Sequence, residues 1–226
     1  ALALGLFALV TAGSVSLTRA VTAERIAAHQ LAYQHRQLQE VLPAPLATAP
    51  VQTVLEGTFS LPAPSLLGHR MPQEGWRVQQ GGDAVTILPV VTRQGYNGEI
   101  RLLVAIDQSG EITGVRVTHH QETPGLGDKI ELRKSDWIKS FDDRSLRNPA
   151  ADGWAVTKDG GAFDGFTGAT ITPRAVITGV SRALHWFEDE GRRAGRGAPL
   201  RPALASGVQF LVRKAFLPGS KFVLMG

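Results

Sequence analysis

The chain has 226 residues, 43% of them hydrophobic and 19% charged, enough for one domain with a sizeable core plus appended segments. It has no cysteine, which excludes structural disulfides, thiolate zinc sites and iron–sulfur ligation by this chain. Net charge is +4, but Arg192, Arg193, Arg196, Arg201, Arg213, Lys214 and Lys221 follow Glu190 with no acidic residue among them, so +4 less +7 leaves a body of −3; no recognition motif accompanies the basic tail, and nucleic acid is not its partner.

Residues 1–18 carry no charge. As a helix at ~1.5 Å per residue they would reach about 27 Å, which predicts a transmembrane anchor, with the apolar region of a signal peptide as the alternative. Arg19 and Arg25 just beyond it weigh weakly against an exterior location for the rest of the chain. Residues 19–42 read as a juxtamembrane helix with a partial stripe of Ile26, Leu31, Leu38, Val41 and Leu42, ended by Pro43 and Pro45. His29 and His35 are six apart, the wrong spacing for a shared metal on one helix face.

Residues 43–94 are punctuated by proline and glycine and read as an accessory α/β lobe with β-like runs at 76–79 and 84–92. Pro89 inside the second run predicts an edge strand or a bulge. Residues 98–106 and 111–118 form the clearest hairpin. Ile100, Leu102, Val104 and Ile106 alternate with Arg101, Leu103 and Ala105, and Asp107-Gln108-Ser109-Gly110 supplies the turn. His119 and His120 close the return strand, where neighbouring side chains face opposite ways and do not make a metal pair.

Glu122-Thr123-Pro124-Gly125-Leu126-Gly127-Asp128-Lys129-Ile130 is a turn-rich loop. Proline presets one dihedral and two glycines permit positive φ, so backbone N–H groups can reach a planar ring edge while Leu126 covers a ring face. The same residues fit a tight surface loop closed by a Glu122–Lys129 salt bridge. Residues 135–141 predict a short helix laying Trp137, Ile138 and Phe141 on the hairpin, and residues 154–157 a further strand.

The run Asp164-Gly165-Phe166-Thr167-Gly168-Ala169-Thr170 is small, glycine-rich and hydroxylated. It opens onto Ile171, with Thr172 expected as the N-cap, Pro173 as the first helical residue, and a helix over 173–190 with Val176, Ile177, Val180, Leu184 and Phe187 facing the core. Thr170 then lies just upstream of a helix N-terminus, where unpaired N–H groups favour an anion by roughly 0.3–1 kcal/mol. An ordinary loop-to-helix junction contains the same residue types. In the basic tail, 191–226, the apolar run 208–217 fits a membrane-surface or partner contact as well as it fits packing back onto the domain.

Asp164, Thr167, Gly168, Ala169 and Thr170 match the pattern Asp-x-x-(Ser/Thr)-Gly-Ala-Thr, and residues 122–130 give a second match about 40 residues earlier. On these motifs the stretch 95–190 resembles the FMN-binding domains of the G subunit of the Rnf ferredoxin:NAD oxidoreductase and of the C subunit of the sodium-pumping NADH:quinone oxidoreductase. The run Thr170-Ile171-Thr172-Pro173-Arg174-Ala175-Val176 points to the Rnf member. The resemblance implies an α+β fold: a single N-terminal transmembrane helix, then an FMN-binding domain whose antiparallel sheet is packed by helices. It implies that a flavin transferase esterifies the FMN phosphate onto Thr170, within a site formed by Asp164, Thr167, Gly168, Ala169, Thr172, Glu122, Thr123, Gly125, Leu126, Gly127 and Lys129. Lys129 or the loop amides would stabilise the reduced ring, and Asp164 would orient the motif loop or guide the transferase. The implied setting is the bacterial inner membrane with the flavin domain on the periplasmic side, among the other subunits of an ion-translocating complex. No Gly-x-Gly-x-x-Gly opens a βαβ unit, so NAD is not expected to bind this chain. A membrane-anchored sensor module and a flavin-free structural subunit are the alternatives, separated by whether the purified chain carries flavin absorbance.

Overall fold

The computed structural model describes residues 57–80 and 82–194, together with positions 5, 11–14, 16, 22–23, 36–43, 46 and 53. Most of the expected anchor (1–18) and juxtamembrane helix (19–42), and residues 195–226 of the tail, lie outside the described residues. Among those described, no helix is long and apolar enough to cross a membrane. Residues 1–40 and 41–226 form two separate compact units, and the second contains the sheet and both motif loops.

Five strands form one antiparallel sheet in sequence order: β1 (Thr58–Ser60), β2 (Glu74–Gln80), β3 (Asp83–Thr92), β4 (Ile100–Asp107) and β5 (Ile112–His119). The segment expected as an accessory lobe therefore contributes three strands to the same sheet as the hairpin. β3 pairs with β4 from Val85↔Asp107 to Thr92↔Ile100. The β4–β5 hairpin is the expected one: Asp107 Oδ1 accepts from the amides of Ser109 (2.8 Å) and Glu111 (3.0 Å), and Gly110 completes the turn at φ 88°.

Pro89 sits in the central strand of the sheet rather than on an edge, yet it breaks no ladder bond. The β2 register stops at Trp76↔Ile87, so the flank of β3 beyond Ile87 needs no donor. The Pro89 carbonyl on that flank instead accepts from His69 Nε2 (2.9 Å).

One long helix, α1 (Ile171–Ala194), lies across β3 and β4. Its stripe of Ala175, Val176, Ile177, Val180, Ala183 and Leu184 is buried against Val90, Ile100, Leu102, Val104 and Ile106, each large side chain stabilising by roughly 1.5–3 kcal/mol. Phe187 is only partly buried; Trp186 joins the core instead, stacked on Phe59 at 6.5 Å. The opposite sheet face is also covered, with Ile87, Leu103 and Ala105 buried. Thr113 Oγ1 there donates to the Val41 carbonyl (3.5 Å).

The short helix expected at 135–141 forms as a 3-10 helix, Asp136–Phe141, capped by Ser135, whose hydroxyl accepts from the Trp137 amide. The next local expectation changes. The strand expected at 154–157 does not form. Short 3-10 turns, Ala151–Gly153 and Thr157–Asp159, flank a single bridge between Val156 and Phe163. Trp154 is used as an aromatic core residue, 5.2 Å from Phe163, and that packing outweighs its strand preference.

Candidate functional site

The helix begins two residues earlier than its proline suggests. Ile171 is the first helical residue, and the Thr170 carbonyl accepts from the Arg174 amide (3.4 Å). Thr170, not Thr172, is therefore the residue at the boundary, and Pro173 falls third in the helix. A proline is tolerated there because first-turn N–H groups have no intrahelical partner.

Thr172 is fully buried, and its hydroxyl donates to Glu122 Oε2 in a short hydrogen bond. Glu122 is itself buried and accepts two more hydrogen bonds, from the amides of Tyr96 (3.3 Å, to Oε2) and Asn97 (3.1 Å, to Oε1). One carboxylate thus joins three segments: the turn before β4, the loop after β5, and the start of α1. The alternative salt bridge with Lys129 does not form. Gly127 packs into this junction so closely that a Cβ there would lie 2.9 Å from both Glu122 Cβ and Thr172 Oγ1.

The 122–130 loop is internally braced. The Thr123 carbonyl accepts from Leu126 N (3.1 Å) and Gly127 N (3.0 Å), Thr123 Oγ1 accepts from Asn97 Nδ2 (3.1 Å), and Gly125 N donates to the buried Asp128 (2.8 Å). His120 anchors the loop from below. Its Nδ1 accepts from the Glu122 amide (3.0 Å), so its proton sits on Nε2, which donates to Glu131 (2.7 Å). Arg133 also binds Glu131, and these bonds hold the Glu131 carboxyl below its ordinary value, Arg133 contributing most. His120 is a strut of the loop rather than a ligand.

The 164–170 loop meets the first one at Leu126, whose Cδ2 is 3.8 Å from where a Gly168 side chain would begin. Gly168 has φ 80°, a backbone region that side-chained residues rarely enter. Behind the loop, Trp137 packs edge-on against Phe166 (5.0 Å) and donates from Nε1 to the Asp164 carbonyl (2.7 Å). Arg174 clamps Asp159 with two bonds (2.6 and 2.7 Å), fixing the preceding turn to the helix and lowering the Asp159 pKa.

Thr170 is half-buried, with its Cγ2 3.7 Å from where a Gly165 side chain would begin. Thr167, Gly168 and Asp164 are exposed and Ala169 half-buried. Lys129 is exposed; among the described residues neither its side chain nor that of Asp164 joins the network around Glu122. Sequence reading missed Tyr96 and Asn97. The Gly95-Tyr96-Asn97-Gly98 turn ahead of a strong strand was the available signal, but nothing in it announced a partner 25 residues away.

Five large hydrophobic side chains stand exposed among the described residues, and three belong to segments that Glu122 ties together: Tyr96 (67%), Leu126 (43%) and Ile171 (46%). Exposed apolar side chains on these segments suit a planar ring, and the start of α1 suits a phosphate.

The FMN-binding domain family matches residues 95–185, and the RnfG N-terminal region family matches residues 1–41. The G subunit of the ion-translocating oxidoreductase complex of Pseudomonas aeruginosa (strain UCBPP-PA14) is 46% identical over 209 residues, covering 92% of this chain and 94% of its own. The G subunits of the same complex from Shewanella loihica and Vibrio cholerae (strain O395) are 44% and 42% identical, covering 81% and 82% of this chain and 86% and 87% of theirs. Among solved structures, the C subunit of the Na(+)-translocating NADH-quinone reductase from Parabacteroides distasonis aligns with a TM-score of 0.49 at 17% identity, over 74% of this chain and 95% of that one. With these relatives and a matching domain around the Glu122 junction, the chain belongs to the family of G subunits of ion-translocating oxidoreductase complexes.

Proposed function

We propose that this chain is the FMN-carrying electron-transfer subunit of an ion-translocating oxidoreductase complex of the Rnf type, with the flavin phosphate esterified to Thr170. The observation that supports the reading is the Glu122–Thr172 bond, which ties the 122–130 loop to the start of α1, two residues beyond Thr170. A bound flavin supplies the redox chemistry; the protein supplies placement and electrostatics.

The chain's own residues divide that work. The Thr170 oxygen tethers the phosphate, and the first amides of α1 face the remaining charge. Leu126, Ile171 and Tyr96 supply the apolar surfaces that exclude water from a ring. Gly168 and Gly125, at φ 80° and 78°, let backbone approach the cofactor without side-chain bulk. Thr167 and Ala169 shape the motif loop, Thr123 and Gly127 brace the facing one, Asp164 presents the motif to the flavin transferase, and Lys129 offers positive charge to the reduced ring. The other subunits of the complex donate and accept the electrons, and residues 1–18 hold the domain to the bacterial inner membrane with the flavin on the periplasmic side.

The test is direct. Chain produced in a host possessing the transferase is denatured and run on a gel under ultraviolet light. The native band fluoresces and its intact mass exceeds the polypeptide by one FMN less water; Thr170→Val shows neither. Fluorescence surviving in Thr170→Val refutes the tether.

A further inference from the structure

The two exposed large hydrophobic side chains not accounted for above are Leu66 (52%) and Met71 (74%), and both sit on one loop, residues 61–73. The loop is closed at its base by the Leu61 amide on the Gln73 carbonyl (2.9 Å). It is pinned from outside at three points: Trp186 Nε1 donates to the Pro62 carbonyl (2.8 Å), Arg93 Nη1 to the Gly68 carbonyl (2.7 Å), and His69 Nε2 to the Pro89 carbonyl of β3. Leu67 fills the core completely, and Ala63 is held at φ 47°. A loop this well fixed holds its two apolar tips in water by construction.

Its charge is one-sided. Residues 61–73 contain Arg70 and His69 and no acid. Alongside lies Arg93, which is also 3.6 Å from the Glu99 carboxylate.

We propose that loop 61–73 is a membrane-docking surface, with Leu66 and Met71 entering the headgroup layer of an anionic bilayer and Arg70 and Arg93 meeting its phosphates. Fixed apolar tips ringed by basic residues fit that interface, where buried apolar area and attraction to anionic lipid add. The chain also carries the uncharged run 1–18, so a bilayer is the surface this domain has within reach. Pro62 contacts α1 at Trp186, 15 residues from Ile171, about 22 Å along the helix at 1.5 Å per residue. The base of the docking loop therefore lies well along α1 from the helix start, and the proposal does not depend on the flavin.

The absence of cysteine gives a clean experiment. A nitroxide is placed on Met71→Cys in the full chain, reconstituted in nanodiscs with or without anionic lipid, and its access to oxygen and to an aqueous nickel chelate is compared with that of a label on Lys158→Cys. The expected result is high oxygen and low nickel access at position 71 in anionic discs, with about a fivefold loss of the docked population on Arg70→Gln and a larger loss in zwitterionic discs. Unchanged melting of the labelled chain, expected at so exposed a position, shows that it is folded. Nickel access equal to that at position 158 in both lipids overturns the proposal. So does protection from both reagents regardless of lipid, which would mean that protein covers the loop.

Discussion

Thr172→Val removes one hydroxyl from a fully buried position while keeping its shape. The hydroxyl donates to the Glu122 carboxylate, and a hydrogen bond to a charged group contributes roughly 1.5–3 kcal/mol. Glu122 keeps the amides of Tyr96 and Asn97, so it is weakened rather than stranded, and the loss should fall within that range. For a domain of this size about 1 kcal/mol moves the melting temperature by 2–4 °C, giving a fall of about 3–12 °C by thermal unfolding followed by circular dichroism. Covalent flavin loading should fall as well, because the bond braces the segments beside Thr170, but it should not vanish while the Thr170 hydroxyl remains. Thr170→Val should act on the cofactor instead, carrying no flavin after denaturation while the Glu122–Thr172 bond stays in place. A Thr172→Val chain that melts like the native one would refute the account of Glu122 as the junction of the site.

Gly127→Ala would press a methyl onto Glu122 Cβ and Thr172 Oγ1 at 2.9 Å, and should cost about 1–3 kcal/mol in chemical denaturation while loosening the flavin loop. Asp142 has its pKa raised by burial, and its Oδ1 has no partner among the described residues. A raised carboxylate pKa penalises the fold increasingly as pH climbs from the ordinary carboxylate value through the raised one, so Asp142→Asn should stabilise the chain at pH 7 and lose the advantage at pH 3. Glu131 has the opposite sign: its lowered pKa contributes stability above the ordinary carboxylate value that disappears as pH falls through the lowered one. Native and Glu131→Gln chains should therefore differ in melting temperature at pH 7 and converge in acid; a gap that persists at about pH 2.5 would assign the effect to packing.

The hairpin, the helix stripe and both motif loops are legible in the sequence because each is encoded locally, by alternation, by 3.6-residue spacing or by glycine and proline chemistry. The sheet's extent is not. β1 is three residues long, and Pro89 does signal an interruption, but of one flank only, which a single strand's sequence does not reveal. The place of Thr172 before Pro173 marks it as a capping hydroxyl. Its actual use, inward against a carboxylate 50 residues earlier, depends on a tertiary contact that no local rule encodes. The stretch 150–163 looks like a strand and a turn because Trp154, Val156 and Phe163 are sheet formers; their burial in an aromatic cluster satisfies the same preference another way.

A single acidic side chain bonded to the Tyr96–Asn97 turn and to the start of α1 also sets how the native state breathes. Opening either partner weakens the acceptor that the other shares, so the Tyr96 and Asn97 amides should trade their protons for deuterium at a common rate. That rate should slow in step with any treatment that firms the first turn of α1. Mass-resolved labelling of peptides covering residues 95–98 and 170–175 would read this collective opening without any need for catalysis.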